Sequence, residues 1–154
     1  MNKKKILTFI QVGFRVILGA LLLIAGVLKL QDNSALFETV AYITWIPNFF
    51  KSLVIDTLPY LEVLIGALMV TGVLKKAAIP AGALIYLGFF IFAIYGFGSG
   101  MEGDCGCFGD VEDGNILAMA LGSTFGWSMV IRNGIFVAMA GVLFINTNRS
   151  LHRK

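Results

Sequence analysis

The chain has little of what a soluble protein uses to meet water. Only 14% of its 154 residues are charged and 58% are hydrophobic, whereas soluble domains carry about a quarter charged residues. That excludes an ordinary water-soluble fold and makes a lipid bilayer the natural solvent. Histidine is nearly absent: His152 is the single example and lies in the terminal tail. Cysteine is limited to Cys105 and Cys107, so a thiolate metal site has two soft ligands and no second pair to complete it. The net charge of +3 comes from basic residues at the ends of apolar runs rather than along one face, which rules out nucleic acid as a partner.

What is abundant is apolar sequence in long runs. A membrane span needs ~20 mostly apolar residues, and four segments qualify, at about 6–30, 57–74, 77–97 and 127–145. The first follows Lys3, Lys4 and Lys5 as a signal peptide would, but it is too long and ends in Lys29-Leu30-Gln31-Asp32 rather than a small-residue cleavage site. It reads as a retained anchor. The expected fold is therefore all-α: a polytopic membrane protein, one four-transmembrane-helix bundle over residues 1–154.

The basic residues orient it. Lys3, Lys4, Lys5, Lys75, Lys76, Arg149, Arg153 and Lys154 share one side of a four-span chain, which places both termini in the cytoplasm. The opposite side has Lys29, Lys51 and Arg132 together with every acid except Glu62. Both cysteines fall on that outer side, where disulfides persist.

Between the first two spans, residues 33–56 are too polar to cross and too apolar for a loose linker. Ser34 is positioned to cap a short helix through Ile43, with Leu36, Phe37, Val40, Ala41 and Ile43 on its apolar side. Pro47 should end it, and Trp45, Phe49 and Phe50 suit the headgroup zone, giving an outer interfacial helix. Pro59 fits a first turn, or lies inside the helix if that helix starts near Phe50. Small residues at Gly66 and Gly72, Ala78 and Gly82, and Gly134 and Ala138 mark places where helices can approach closely.

Composition changes after the third span. Nine of the 18 glycines lie between Gly96 and Gly126, so the backbone there turns often. Inside this glycine-rich loop is Asp104-Cys105-Gly106-Cys107-Phe108-Gly109. A disulfide between residues i and i+2 closes a very small ring; extended backbone holds the two Cα atoms farther apart than the usual separation of about 5.5 Å, so the chain must bend, and Gly106 is the residue that bends most freely. Strain makes such a bond easy to reduce, which suits exchange better than a structural staple. A soft-metal site and a passive pair stay open as alternatives. The acids around the pair disfavour thiolate, so a cation or helix start must help; Arg132 is the nearest cation in sequence. Asp104 flanks Cys105 and tilts the choice of nucleophile toward Cys107.

Glu62 is the costliest residue inside a span, about 8 Å deep from Thr57 at ~1.5 Å per residue. Lys29 lies at a similar level, and an ion pair between them is the natural way to bury both.

The block around Cys105 and Cys107, followed by Trp127-Ser128-Met129-Val130-Ile131-Arg132-Asn133, resembles the methylamine-utilisation family MauE and its DoxX-like relatives. Arg15, Gly19, Gly26, Lys29 and Asp32 resemble the DoxX pattern in the first span; Pro59, Glu62, Gly66 and Gly72 resemble that of the second. The resemblance implies a small inner-membrane protein of periplasmic thiol and disulfide chemistry, working with thioredoxin-fold partners. It also implies likeness to membrane quinone reductases that generate disulfides. Those carry further cysteines, so no cofactor is fixed and a quinone stays open. The sequence thus leads to a membrane thiol-disulfide redox protein acting through Cys105 and Cys107, with Asp104, Gly106, Arg132, Lys29 and Glu62 in support. The competing reading is a non-catalytic assembly or docking subunit for a periplasmic or respiratory partner.

Overall fold

The computed structural model describes the backbone of residues 3–101 and 126–151, and side chains there except at 3–7, 35 and 149–151. All regular structure among them is helical: α1 (Lys3–Gln31), α2 (Ser34–Ala41), α3 (Asn48–Thr71), α4 (Lys75–Gly98) and α5 (Trp127–Leu151). Four of them are long and apolar enough to cross a membrane, over Thr8–Gln31, Asn48–Thr71, Lys75–Gly98 and Trp127–Asn148. The chain is an all-α, four-span membrane bundle. Its outward-facing side chains agree with lipid as solvent: Phe9, Leu84, Ile91 and Ile135 stand more than half exposed in mid-helix, which hydrocarbon tolerates and water does not.

The long helices alternate in direction, and α1 packs most extensively on α3 while α4 packs on α5. At the α1–α3 seam the backbones nearly touch. A Cβ added to Gly66 would lie 2.6 Å from the Leu23 nitrogen; one on Gly26 would lie 2.8 Å from the Pro59 carbonyl; one on Gly19 would meet Met69 and Val70 within 2.9 Å. Lipid tails are as apolar as leucine, so helices in a bilayer associate by close packing, and glycine is what permits it. Leu18, Leu22 and Met69 fill the gaps between these crossings and are at most 1% exposed.

The α4–α5 seam is built from larger groups. Tyr86 and Phe136 meet edge to face at 5.6 Å, Ala93 packs with Met129, and Phe97 lies against Trp127 at 4.8 Å. Gly134 faces the edge of the Phe90 ring.

The segment between α1 and α3 departs from the sequence reading in its details. Ser34 does not cap α2: Asn33 precedes the helix without a side-chain cap bond, and the Asp32 carboxylate accepts the Ser34 amide at 2.9 Å instead. The helix stops at Ala41, ahead of Pro47, which serves as the residue before α3 with extended ψ of 143°. The Ala41 carbonyl is taken up by the Lys51 ammonium at 3.2 Å, a favourable place for a cation. Leu36, Val40 and Ile43 are buried as expected, whereas Phe37 and Ala41 face out with Tyr42 and Trp45. Because α3 begins at Asn48, Pro59 is interior to it, and its carbonyl is the one Gly26 approaches.

Gly72 is a cap rather than a packing residue. It adopts a left-handed φ of 75°, and its amide closes on the Leu68 carbonyl at 3.0 Å. Its missing side chain also makes room for the Arg15 guanidinium, which thereby sits at the negative end of α3. The tight turn to α4 then forces Leu74 to a φ of 50°, a conformation costly for a residue with a branched side chain.

Candidate functional site

The polar centre of the described bundle is one ion pair. Lys29 Nζ lies 2.6 Å from Glu62 Oε1, with side-chain exposures of 2% and 0%. Its position follows from the seam: Gly26 approaches both Pro59 and Val63, which bracket Glu62 on α3, and Lys29, one turn on from Gly26 on the same face of α1, reaches back to it with its long side chain. The predicted pairing is present. The ammonium also sits over the Phe89 ring at 4.7 Å, which adds a cation–π attraction worth more in a dry site than at a surface. Glu62 Oε2 has no hydrogen-bond partner among the described residues.

A second buried polar contact was not legible in the sequence. The Tyr86 hydroxyl donates to the Leu18 carbonyl at 2.6 Å, tying α4 to α1. The available signal was its depth: a tyrosine at the middle of a span, far from either headgroup zone, must find an acceptor inside the protein. Asn133, also buried, turns its amide back to the Met129 carbonyl at 2.9 Å. Tyr86 and Asn133 share a cavity of about 20 Å³ with Leu21, Ala25 and Phe136, room for about one water molecule.

Cys105, Cys107, Asp104 and Gly106 lie outside the described residues, as do the loop acids. What the structure gives is how their segment is held at its ends. After α4 the Met101 amide returns to the Gly96 carbonyl and the Gly100 amide to Phe97, with Gly100 at a φ of 66°. This is a complete Schellman stop, which needs a residue without a Cβ at the left-handed position. On the far side the Gly126 carbonyl accepts the Met129 and Val130 amides and starts α5. The Phe97–Trp127 contact clasps the two ends together. The described ends on either side of residues 102–125 therefore stand close together. Arg132, half-buried, lies five residues past Trp127 on α5.

The ion pair is not adjacent to this clasp. Phe89, under Lys29, is eight residues before Phe97 on α4, about 12 Å along the helix. Asp32, by contrast, is exposed just past the C-terminal end of α1, and the Ser34 amide it accepts holds its carboxyl below the ordinary aspartate range. No group of three or more histidine, cysteine, aspartate or glutamate side chains converges among the described residues.

The residues that carry the resemblance in the first two spans now have a single structural meaning. Arg15 meets Gly72, Gly19 meets Gly66 and Met69, Gly26 meets Pro59 and Val63, and Lys29 meets Glu62. The two patterns are the two sides of one antiparallel seam.

A family model described as methylamine utilisation protein MauE matches residues 4–146. Comparison with curated proteins and with solved structures gives no match.

Proposed function

The chain belongs to the MauE family, and from that premise we propose that it serves methylamine utilisation as a thiol-disulfide exchange protein of the bacterial inner membrane. Both termini face the cytoplasm, and Cys105 and Cys107 face the periplasm. The observation that carries the reading is the clasp: Phe97 and Trp127 hold together the two points from which the cysteine segment departs, on a bundle whose other seam is locked by a buried ion pair. A rigid frame with both ends of one segment fixed is what presentation of a reactive pair to a soluble partner requires.

In the exchange, the thiolate of Cys107 attacks a disulfide sulfur of a periplasmic thioredoxin-fold protein. An S–S bond forms between the two proteins, and the partner's second sulfur leaves as thiolate. Cys105, as thiolate, then attacks Cys107 of the mixed disulfide. The Cys105–Cys107 bond forms and the partner departs with two electrons and both thiols reduced. The reverse sequence oxidises the partner. Arg132 favours the thiolate form on this side, and Asp104 opposes it at Cys105.

The test is trapping. Cys105→Ser should accumulate a mixed disulfide in acid-quenched cells, seen on non-reducing gels, while the wild type clears it. If neither single serine variant accumulates a mixed disulfide and the wild-type pair resists mild reductant, the assembly or docking subunit takes its place. Labelling of the two thiols by a membrane-permeant reagent alone, with no labelling from the periplasm, would overturn the orientation.

A further inference from the structure

We infer that the notch between α2 and α3 is a headgroup site for a zwitterionic phospholipid, with the phosphate on Lys51 and the amine toward Glu38 and Asp56. Phe37 and Ala41 of α2 and Asn48, Lys51, Ser52 and Ile55 of α3 line a cavity of about 310 Å³ there, within the range of small-molecule sites, about 300–1,000 Å³. Asn48, Lys51 and Ser52 fall at i, i+3 and i+4, so one face of α3 brings an amide, an ammonium and a hydroxyl to the same wall. Phe37 and Ile55 make the rest of it apolar.

Depth identifies the solvent that the cavity meets. The membrane-spanning stretch of α3 begins at Asn48, and Ile55 lies about 10 Å further along at 1.5 Å per residue, which puts the cavity at the level of headgroup and glycerol. Trp45, Phe49 and Phe50 stand exposed around the start of the helix, and aromatic rings settle at that level.

Charge selects the head. Lys51 is the single charged residue lining the cavity, and its described partner is the neutral Ala41 carbonyl at 3.2 Å, which takes one of three N–H donors. Phosphate is the anion a bilayer supplies at this depth, and it accepts short charge-assisted bonds from an ammonium. A diacyl lipid without phosphate would leave the cation unanswered. Glu38 and Asp56, both exposed, directly follow the lining residues Phe37 and Ile55 on the two helices, so negative charge stands on both sides. It repels a head of net negative charge such as phosphatidylglycerol, whereas phosphatidylethanolamine answers both signs.

The inference is independent of the thiol chemistry. The full chain in dodecyl maltoside micelles is titrated with phosphatidylethanolamine, phosphatidylglycerol and diacylglycerol of matched chains, and bound lipid is counted by native mass spectrometry. Phosphatidylethanolamine should be retained best and diacylglycerol least, about tenfold apart. Lys51→Met should bring phosphatidylethanolamine down to the diacylglycerol level. Ala41→Phe, at an exposed lining position, fills the cavity with Lys51 in place and should do the same, with circular dichroism unchanged in both. Glu38→Gln with Asp56→Asn should keep the phosphate and lose the choice, so that phosphatidylglycerol binds as well as phosphatidylethanolamine; a preference unchanged there would overturn the zwitterionic assignment. Equal retention of diacylglycerol, phosphatidylglycerol at or above phosphatidylethanolamine in the wild type, or unchanged retention in the folded Lys51→Met and Ala41→Phe proteins would overturn the inference. Competition by glycerophosphoethanolamine at the concentration at which the lipid binds would do so too, by assigning the cavity to a soluble phosphoester.

Discussion

The α1–α3 seam and the α4–α5 seam hold one bundle together by different means. In the first, Gly19, Gly26 and Gly66 let backbones come close enough for added Cβ atoms to collide with main-chain atoms, and the seam ends in a dry ion pair. In the second, rings and a methionine interlock, and Gly134 has only a ring edge before it. The first cannot yield without moving a helix; the second can adjust through rotamers. The difference places the least yielding contacts beside Lys29 and Glu62, while the α4–α5 seam can adjust along its length and is still held at one end by the Phe97–Trp127 contact.

The sharpest way to break the comparison is to strand a charge in the rigid seam. Lys29→Met leaves Glu62 buried and unpaired and should cost roughly 3–5 kcal/mol, while Lys29→Met combined with Glu62→Leu should recover most of it. Unfolding in mixed micelles followed by circular dichroism measures both. A double variant no more stable than the single would show that the pair acts through its shape and not its charge.

Next in size is one substitution made in both seams. Gly66→Ala drives a methyl into the Leu23 backbone at 2.6 Å and Gly19 carbonyl at 2.7 Å, an overpacking that should cost about 1–3 kcal/mol. Gly134→Ala meets the Phe90 ring at 3.3 Å, which can swing aside; the gain in helix propensity, up to about 1 kcal/mol, should leave it neutral or stabilised. Equal losses at both positions would erase the contrast between the seams.

Legibility divided along the same line. Charge is scarce and costly in a span, so Lys29 and Glu62 announce one end of the first seam and their pairing follows from depth alone; Gly66 is legible as a close approach, whereas Gly19 and Gly26 stand out only through the family resemblance. Phenylalanine is common in any span, so nothing marked Phe136 or Phe89 as contacts, and Tyr86 was passed over although its hydroxyl needed a partner. Boundaries failed where polar chemistry was local: Asp32 displaced Ser34 as the acceptor at α2, and Pro47 began a helix instead of ending one. Composition does not separate a close contact from a left-handed cap, so Gly72 reads as a packing residue in the sequence and caps α3 in the structure.

Tyr86 supplies the third prediction, since its hydroxyl is the polar link between the two seams. Tyr86→Phe keeps the ring against Phe136 and removes the bond to the Leu18 carbonyl. Interhelical bonds of this kind in membranes average about 0.6 kcal/mol with a maximum near 1.7, so the loss should be below that of Gly66→Ala. A larger loss would mean that Tyr86 also orders the Asn133 cavity.

The smallest effect concerns how α2 is fastened over the bundle. The folded Asp32 carboxyl titrates below its ordinary value of 3.8 because the ionised form accepts the Ser34 amide. A folded pKa below the unfolded one contributes stability that is full above the unfolded value and is lost as pH falls through the folded one. Between pH 6 and 5 the start of α2 should therefore be indifferent to acid, and below about pH 4 it should loosen. Trp45, exposed just beyond α2, offers a fluorescence signal for that step. Asp32→Ala should show the loosened signal at every pH; if it keeps the acid step, another carboxyl is responsible and the turn at Asp32 does not fasten α2.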